Sequence, residues 1–162
     1  MSAGEAKLSA SAQKVQDAAT AAGLSVTVIE REESTRTAEE AAAACGCAVG
    51  QIVKSLVFRG ATTGKPYLML VSGTNRLNET GVAAVLGESL TRPDAAYVRE
   101  VTGYAIGGIP PLGHATPMQV YIDRDLLAYD VVWAAAGTPR AVFAVGPGDL
   151  ADAIGAKIVA VT

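Results

Sequence analysis

Gln51-Ile52-Val53-Lys54-Ser55-Leu56-Val57-Phe58 reads as a β-strand with one residue out of place. Side chains alternate across a strand, so Ile52, Lys54, Leu56 and Phe58 share one face and Val53, Ser55 and Val57 the other. Both faces are mainly apolar, the pattern of a central strand covered on both sides. An ammonium group in such a strand must find a partner, reach water along its stem, or shift its pKa. Groups of this kind gather where an anion is bound or chemistry is done. The plainer alternative is a lysine whose head simply reaches solvent at the end of the strand.

Working outward from this strand, residues 8–22 suit a helix, with Ser9 or Ser11 as N-cap and Gly23 as its stop. Residues 24–29 alternate as a strand. Thr37 and Glu40 have capping-box spacing at the head of an alanine-rich helix that ends near Gly46. Downstream, residues 59–66 form a hairpin loop. Its Gly60-Ala61-Thr62-Thr63-Gly64-Lys65 only superficially resembles a phosphate loop, because the spacing is one residue short and Pro66 replaces the Ser or Thr. Helices are expected over residues 79–86 and 94–101, the latter with Pro93 as its first residue. Residues 103–117 are irregular. Strands follow at 119–122, near 131–134 and at 141–145, then a helix opened by Gly148-Asp149 and a closing strand at 157–161. Strands and short helices mix without a regular βαβ alternation. This predicts a mixed α/β (α+β) domain built on a single mixed sheet or open barrel flanked by short helices.

The 162 residues, 50% hydrophobic and 18% charged, suit one domain with a substantial core and no linker or repeat. Aromatic residues are only 5%, so the core must come from Ala, Val, Leu and Ile. A net charge of −3 argues against a broad basic surface for duplex DNA, but not against a local contact with a nucleic-acid end. No stretch has the apolar length of a membrane span, and residues 1–11 lack the regions of a signal peptide, so a cytoplasmic location is expected. Cys45 and Cys47 lie too close for an unstrained disulfide and lack companions for a metal site. Reduced thiols, no metal and no cofactor are expected.

A second segment stands out: Gly107-Gly108-Ile109-Pro110-Pro111-Leu112-Gly113-His114. Adjacent glycines permit positive φ and close backbone approach. The amides of Gly107, Gly108 and Ile109 precede two prolines that lack an N–H, and such amides can converge on a carbonyl or phosphate oxygen. A connector that merely turns the chain has the same composition. His114, the only histidine, is a candidate base or substrate contact, or a structural residue. Gly73-Thr74-Asn75-Arg76-Leu77-Asn78 joins a strand to a helix. Arg76 there suits a phosphate and Asn78 an N-cap. Ser72 lacks the preceding glycine of a nucleophile elbow, so no acyl-enzyme is expected.

Taken in order, the Lys54 strand, the Gly73–Asn78 turn, the segment Thr102-Gly103-Tyr104-Ala105-Ile106-Gly107-Gly108-Ile109-Pro110-Pro111-Leu112-Gly113, and Val132-Trp133-Ala134-Ala135-Ala136-Gly137-Thr138-Pro139 resemble the YbaK/ProX family of aminoacyl-tRNA editing domains. The resemblance covers residues 34–161. It implies hydrolysis of amino acids wrongly attached to tRNA, most often proline tRNA, by a free-standing, trans-acting member. It places the family's lysine on Lys54 and its Gly-x-x-x-Pro loop on Gly107 and Pro111. The small-residue turn near the C-terminus falls on Gly137. The implied catalytic set is Lys54, Gly107 and Gly108. Ile109, Pro111 and Gly137 are the implied substrate contacts; Ser55, Gly73 and Arg76 lie in the matched segments and are candidates too, as is His114, which corresponds to no position of the family pattern. The implied partners are the acceptor end of aminoacyl-tRNA and prolyl-tRNA synthetase. Pro110 departs from the Ser or Thr of many members, so the cysteine-specific behaviour of part of the family is not implied. The residues alone leave two other readings open, a non-catalytic RNA or nucleotide-binding module and a hydrolase of another small ester.

Overall fold

A computed structural model describes residues 7–162, so part of the terminal segment read above for a leader lies outside the described residues. In chain order the elements are α1 (Ala10–Ala21), β1 (Ile29–Glu30), α2 (Ala38–Cys45), β2 (Ile52–Gly60), β3 (Pro66–Ser72), α3 (Glu79–Leu86), β4 (Leu90–Thr91), α4 (Ala95–Thr102), β5 (Gln119–Asp123), β6 (Val132–Ala135), β7 (Ala141–Val145), α5 (Pro147–Ile154) and β8 (Lys157–Val159). Short 3-10 turns occupy Val49–Gln51 and Arg124–Ala128. The strands form one mixed, open sheet in the order β1-β7-β6-β2-β3-β5-β8, with β4 attached to β2. The expected mixed α/β architecture is therefore present, as a sheet and not a closed barrel.

The period-2 patterning of β2 and β3 sorts the core. Val53, Val57, Leu68 and Leu70 pack into one cluster with Ala12, Val15 and Ala19 of α1, Val98 of α4 and Leu150 of α5. Phe58, Tyr67, Met69 and Val71 turn the other way, onto Val82 of α3. Ile52 meets Ala41 and Ala42 of α2. Every residue from Leu68 to Val71 is completely buried, as a strand covered on both faces requires.

Local chemistry fixes the helix ends. Ser9, Thr37, Asn78 and Asp94 each accept a backbone N–H from the first turn of their helix, worth about 1 kcal/mol apiece. Thr37 and Glu40 make the full capping box. Two starts differ from expectation. Asp94, not Pro93, caps α4, and Pro147 rather than Gly148 opens α5. Residues 24–28 are not a paired strand. Their burial alternates as expected, but the side chain of Gln16 accepts from Val28 N–H and donates to the Val26 carbonyl, replacing a neighbouring strand. The closing strand stops at Val159, and Val161 continues as a buried anchor. Both cysteines are free thiols, and burial pushes both pKa values up.

The loop that superficially resembled a phosphate cradle does bind an anion, but an internal one. Thr62 and Thr63 N–H donate to one carboxylate oxygen of Glu88, while Tyr67 and Thr63 hydroxyls donate to the other at 2.6 and 2.7 Å. These bonds, the Tyr67 hydroxyl first, hold the Glu88 pKa down to about 2. The loop carrying Gly107 is held by His114, whose Nε2 lies 2.7 Å from the Pro110 carbonyl. A carbonyl only accepts, so Nε2 carries the proton. Tyr104 stands edge-on to the ring and donates its hydroxyl to the Gly113 carbonyl. Burial lowers the His114 pKa, with the Pro110 bond opposing.

Two pH dependences follow. Glu88 is ionised in the fold below its ordinary pKa of about 4.3, so its contribution is complete above that value and is lost as pH falls toward 2. The gap in denaturant midpoint between the parent and Glu88→Gln is expected to close over that range. A gap independent of pH contradicts the clasp. His114 is neutral in the fold at pH values where the unfolded chain binds a proton, so stability rises with pH up to about 6.5. His114→Gln keeps an amide donor but cannot titrate. Its melting temperature should lose part of the parent's slope between about pH 5 and 7. An unchanged slope contradicts a neutral, buried His114.

Candidate functional site

One edge of β2 is fully paired with β3, from Val53 to Arg59. The other edge is not. β6 covers only Ile52 and Val53, and β4 covers only Arg59 and Gly60. Between them, residues 54–58 have no strand neighbour on that side, and the sheet opens into a cleft with two chambers. The smaller, about 340 Å³, is bounded by Ile52, Val53, Ala41, Trp133, Ala134 and Val142, with Arg36 and Gly107 at its rim. The larger, about 690 Å³, has a floor including Val57, Phe58, Leu77, Pro93 and Val98, with Arg76 and Arg92 beside it. Lys54, Ser55, Leu56, Ile106 and Ile109 line both chambers. A separate open hollow of about 640 Å³ beside α1 and α5 has Asp149 and Asp152 on its wall and no cationic side chain.

Lys54 projects between the clusters under α2 and α3, and its Nζ donates to the Asn75 carbonyl at 2.5 Å. Burial pulls its pKa below the ordinary lysine value. Glu39 raises it, Arg76 lowers it and Asp123 raises it, each by less. The partner is therefore a main-chain oxygen, and among the described residues no carboxylate pairs directly with the ammonium. Ser55, on the opposite face, has a buried hydroxyl with no hydrogen-bond partner among the described residues. An unpaired hydroxyl lining a chamber is costly unless a ligand completes it.

The loop after α4 supplies the facing wall. Gly107 has φ +101°, and a side chain there would collide with the stem of Arg36. Among the described residues, the N–H groups of Gly107 and Ile109 meet no protein acceptor. Gly108 behaves differently from the sequence expectation. Its N–H donates to the Ala105 carbonyl, and its own carbonyl accepts from Gly137 N–H at 2.8 Å. A Cβ on Gly108 would lie 2.7 to 2.8 Å from the Thr138 backbone. Gly108 is thus a packing glycine, and the available donors are its two neighbours.

The remaining candidates divide in the same way. Lys54, Ser55, Gly107, Ile109 and Arg76 line the cleft. Gly137, Gly73, Pro111 and His114 stand behind it. Gly137 presses on the Ser11 backbone of α1, and Gly73 lets its backbone lie against the Val49 carbonyl and donates to the Ile52 carbonyl. Pro111 is buried, and His114 braces Pro110. Sequence reasoning missed Arg36, Arg92 and Trp133 as lining residues. Arg92 is paired with Glu79 at 2.8 Å. Only the Val132–Pro139 motif pointed toward Trp133; nothing local marked the two arginines.

Among the described residues no group of His, Cys, Asp or Glu side chains is placed to hold a metal ion, and no helix is long and apolar enough to cross a membrane. The cleft combines a cation, free amides, an unpaired hydroxyl and apolar walls, a combination suited to holding a polar carbonyl or ester beside phosphate.

Known proteins share the sequence and the fold of this chain. The uncharacterized protein YwhH of Bacillus subtilis is 30% identical over 125 residues, spanning 77% of this chain and 79% of that one. A proline–tRNA ligase of Limosilactobacillus fermentum is 33% identical over 94 residues, which are 56% of this chain and only 16% of the ligase. The crystal structure of a proposed trans-editing enzyme for prolyl tRNA synthetase superposes with a TM-score of 0.91 at 50% identity, over 96% of this chain and 99% of that one. The profile of the aminoacyl-tRNA editing domain matches residues 32–153, which include the Lys54 strand, the Gly107 loop and the Gly137 turn. This chain belongs to the aminoacyl-tRNA editing domain family.

Proposed function

We propose that this chain is a trans-acting deacylase that hydrolyses the ester of mischarged aminoacyl-tRNA, with proline tRNA carrying a small wrong amino acid as its substrate. The observation that carries the reading is that Lys54, Gly107 and Ile109 line the same small chamber, which shares its Lys54, Ser55 and Leu56 wall with a larger one flanked by arginines. The aminoacyl group fits the smaller, apolar chamber. The terminal adenosine fits the larger one, where its base meets an apolar floor and its phosphate meets Arg76. Arg36 and Arg76 are exposed and give a local positive rim to a chain whose net charge is −3.

Hydrolysis adds water across the ester. A hydroxide equivalent bonds to the carbonyl carbon, the carbonyl oxygen takes up negative charge, and the ribose oxygen leaves and is protonated. The amides of Gly107 and Ile109 are the donors for the developing oxyanion. Lys54 orients the ester or the adjoining phosphate, and Ser55 offers its unused hydroxyl to the substrate. The attacking water is activated by the substrate's own ribose hydroxyl, which explains a cleft without a protein nucleophile–base pair. The walls formed by Trp133, Ile52 and Val142 exclude bulky side chains, since shape rejects what does not fit more readily than it detects a missing methylene.

The test is a panel of proline tRNAs charged with Ala, Ser, Thr, Cys or Pro, followed for loss of the ester. At least one small wrong amino acid should be released faster than proline, and Lys54→Met should slow that release on the order of 10²-fold with little change in melting temperature. No release from any member, or an unchanged rate in the variant, overturns the reading. Tight tRNA binding without release points instead to a binding module.

A further inference from the structure

The lysine in the cleft is held by a loop carbonyl, and a loop carbonyl is a dependable partner only if the loop itself is fixed. Asn75 lies between β3 and α3, where no strand or helix constrains it. Its side-chain amide instead donates to two carboxylates at 2.8 Å each, Asp123 Oδ2 and Asp125 Oδ2. Asp123, at the end of β5, is only 1% exposed. Its Oδ2 also accepts from Ser72 N–H at 3.0 Å, while its Oδ1 accepts from Asp125 N–H at 2.9 Å.

The two oxygens therefore have different duties. Oδ1 caps the 3-10 turn that begins at Arg124, a purely local role. Oδ2 ties the last residue of β3 to the loop that carries the lysine's acceptor. Each of the hydrogen bonds to its two oxygens comes from an N–H donor, of Ser72, Asn75 or Asp125. An asparagine in its place would turn an N–H₂ toward one of them. Asp123 also favours the charged form of Lys54, though less than Glu39 does.

We propose that Asp123 is a positioning residue for Lys54, acting through the side chain and main-chain carbonyl of Asn75. Ser72 completes the bracket from behind, since its hydroxyl donates to the Gly50 carbonyl at 2.7 Å, just ahead of the strand that carries Lys54. The lysine, the end of β3 and the loop before α3 thus move as one unit. The inference rests on the deacylase reading only for its effect on rate, because the geometry of Lys54 can be measured without substrate.

Two variants test it. Asn75→Ala removes the tether and leaves every backbone group in place. Asp123→Asn keeps the size of the side chain and changes its hydrogen-bond capacity. The first readout is the rate at which an N-hydroxysuccinimide ester acetylates Lys54 in the folded protein, followed by peptide mass spectrometry, with exposed Lys65 and Lys157 as internal standards. Lys54 should label several-fold faster in Asn75→Ala while the standards do not change. The second is a double-mutant cycle on ester release. Asn75→Ala should slow release about tenfold in the parent and have almost no further effect in a Lys54→Met background. Unchanged labelling of Lys54 overturns the proposal, as does a tenfold loss that persists without the lysine, which marks a general structural role. Asp123→Asn should raise Lys54 labelling as Asn75→Ala does. If it does not fold, Asp125→Ala beside Asn75→Ala decides. Labelling raised in Asn75→Ala but not in Asp125→Ala assigns the tether to Asp123, and labelling raised equally in both overturns that assignment. If the parent releases no ester, the deacylase reading fails, and the labelling experiment still decides whether Lys54 is held.

Discussion

Between residues 54 and 58 the central strand has a neighbour on one edge only, and the site is built around that gap. A buried strand with an unpaired edge is normally avoided, because its main-chain groups go unsatisfied. Here the full-length pairing with β3 holds β2 straight, while β6 and β4 grip it at either end. The gap is thereby bounded, and it places the side chains of both faces of β2 beside the same opening. Lys54 comes from the face under α2 and α3, and Ser55 from the face under α1. An ammonium that would be intolerable inside a closed sheet is acceptable at this opening, with one carbonyl as partner and open space beside it.

The opposite wall is mostly backbone, and glycines let it come close. Gly108 lies so near the Thr138 backbone that no side chain could be accommodated, and Gly137 does the same against α1. The hydrogen bond between them joins the Gly107 loop to the β6–β7 turn. His114 then fixes the far end of the loop through Pro110. Loop residues that look equivalent in sequence therefore divide the work. Gly107 and Ile109 line the cleft and their N–H groups meet no acceptor among the described residues, while Gly108 and Pro111 pack behind them.

Much of this was readable from local patterns. The alternation around Lys54 gave both faces of β2 correctly, and Ser9, Thr37 and Asn78 were recognisable caps because capping acts over three residues. The unreadable features depend on distant partners. Residues 24–28 have a strand's alternation, but Gln16 takes the hydrogen bonds a strand would make. The two-residue β4 has no pattern of its own and exists because it meets the end of β2. Gly107 and Gly108 are indistinguishable until the Gly137 turn is docked. Asp123 ends an ordinary strand, and its burial among donors from Ser72, Asn75 and Asp125 is visible only in three dimensions. The family resemblance picked out segments that line the cleft, and the structure separated lining from support.

In the proposed complex the gap beside Lys54 holds the aminoacyl ester, with the amino acid in the smaller chamber and the nucleotide in the larger. The most direct measurement is a crystal structure with a non-hydrolysable analogue, an adenosine carrying an alanyl group through a 3′-amide. The analogue's carbonyl oxygen should lie within hydrogen-bond distance of Gly107 or Ile109 N–H, its alanyl group against Trp133 and Val142, and its adenine toward Leu77 and Pro93. An analogue bound in the hollow beside α1 and α5, or in this cleft with its carbonyl turned away from the Gly107 loop, would contradict it.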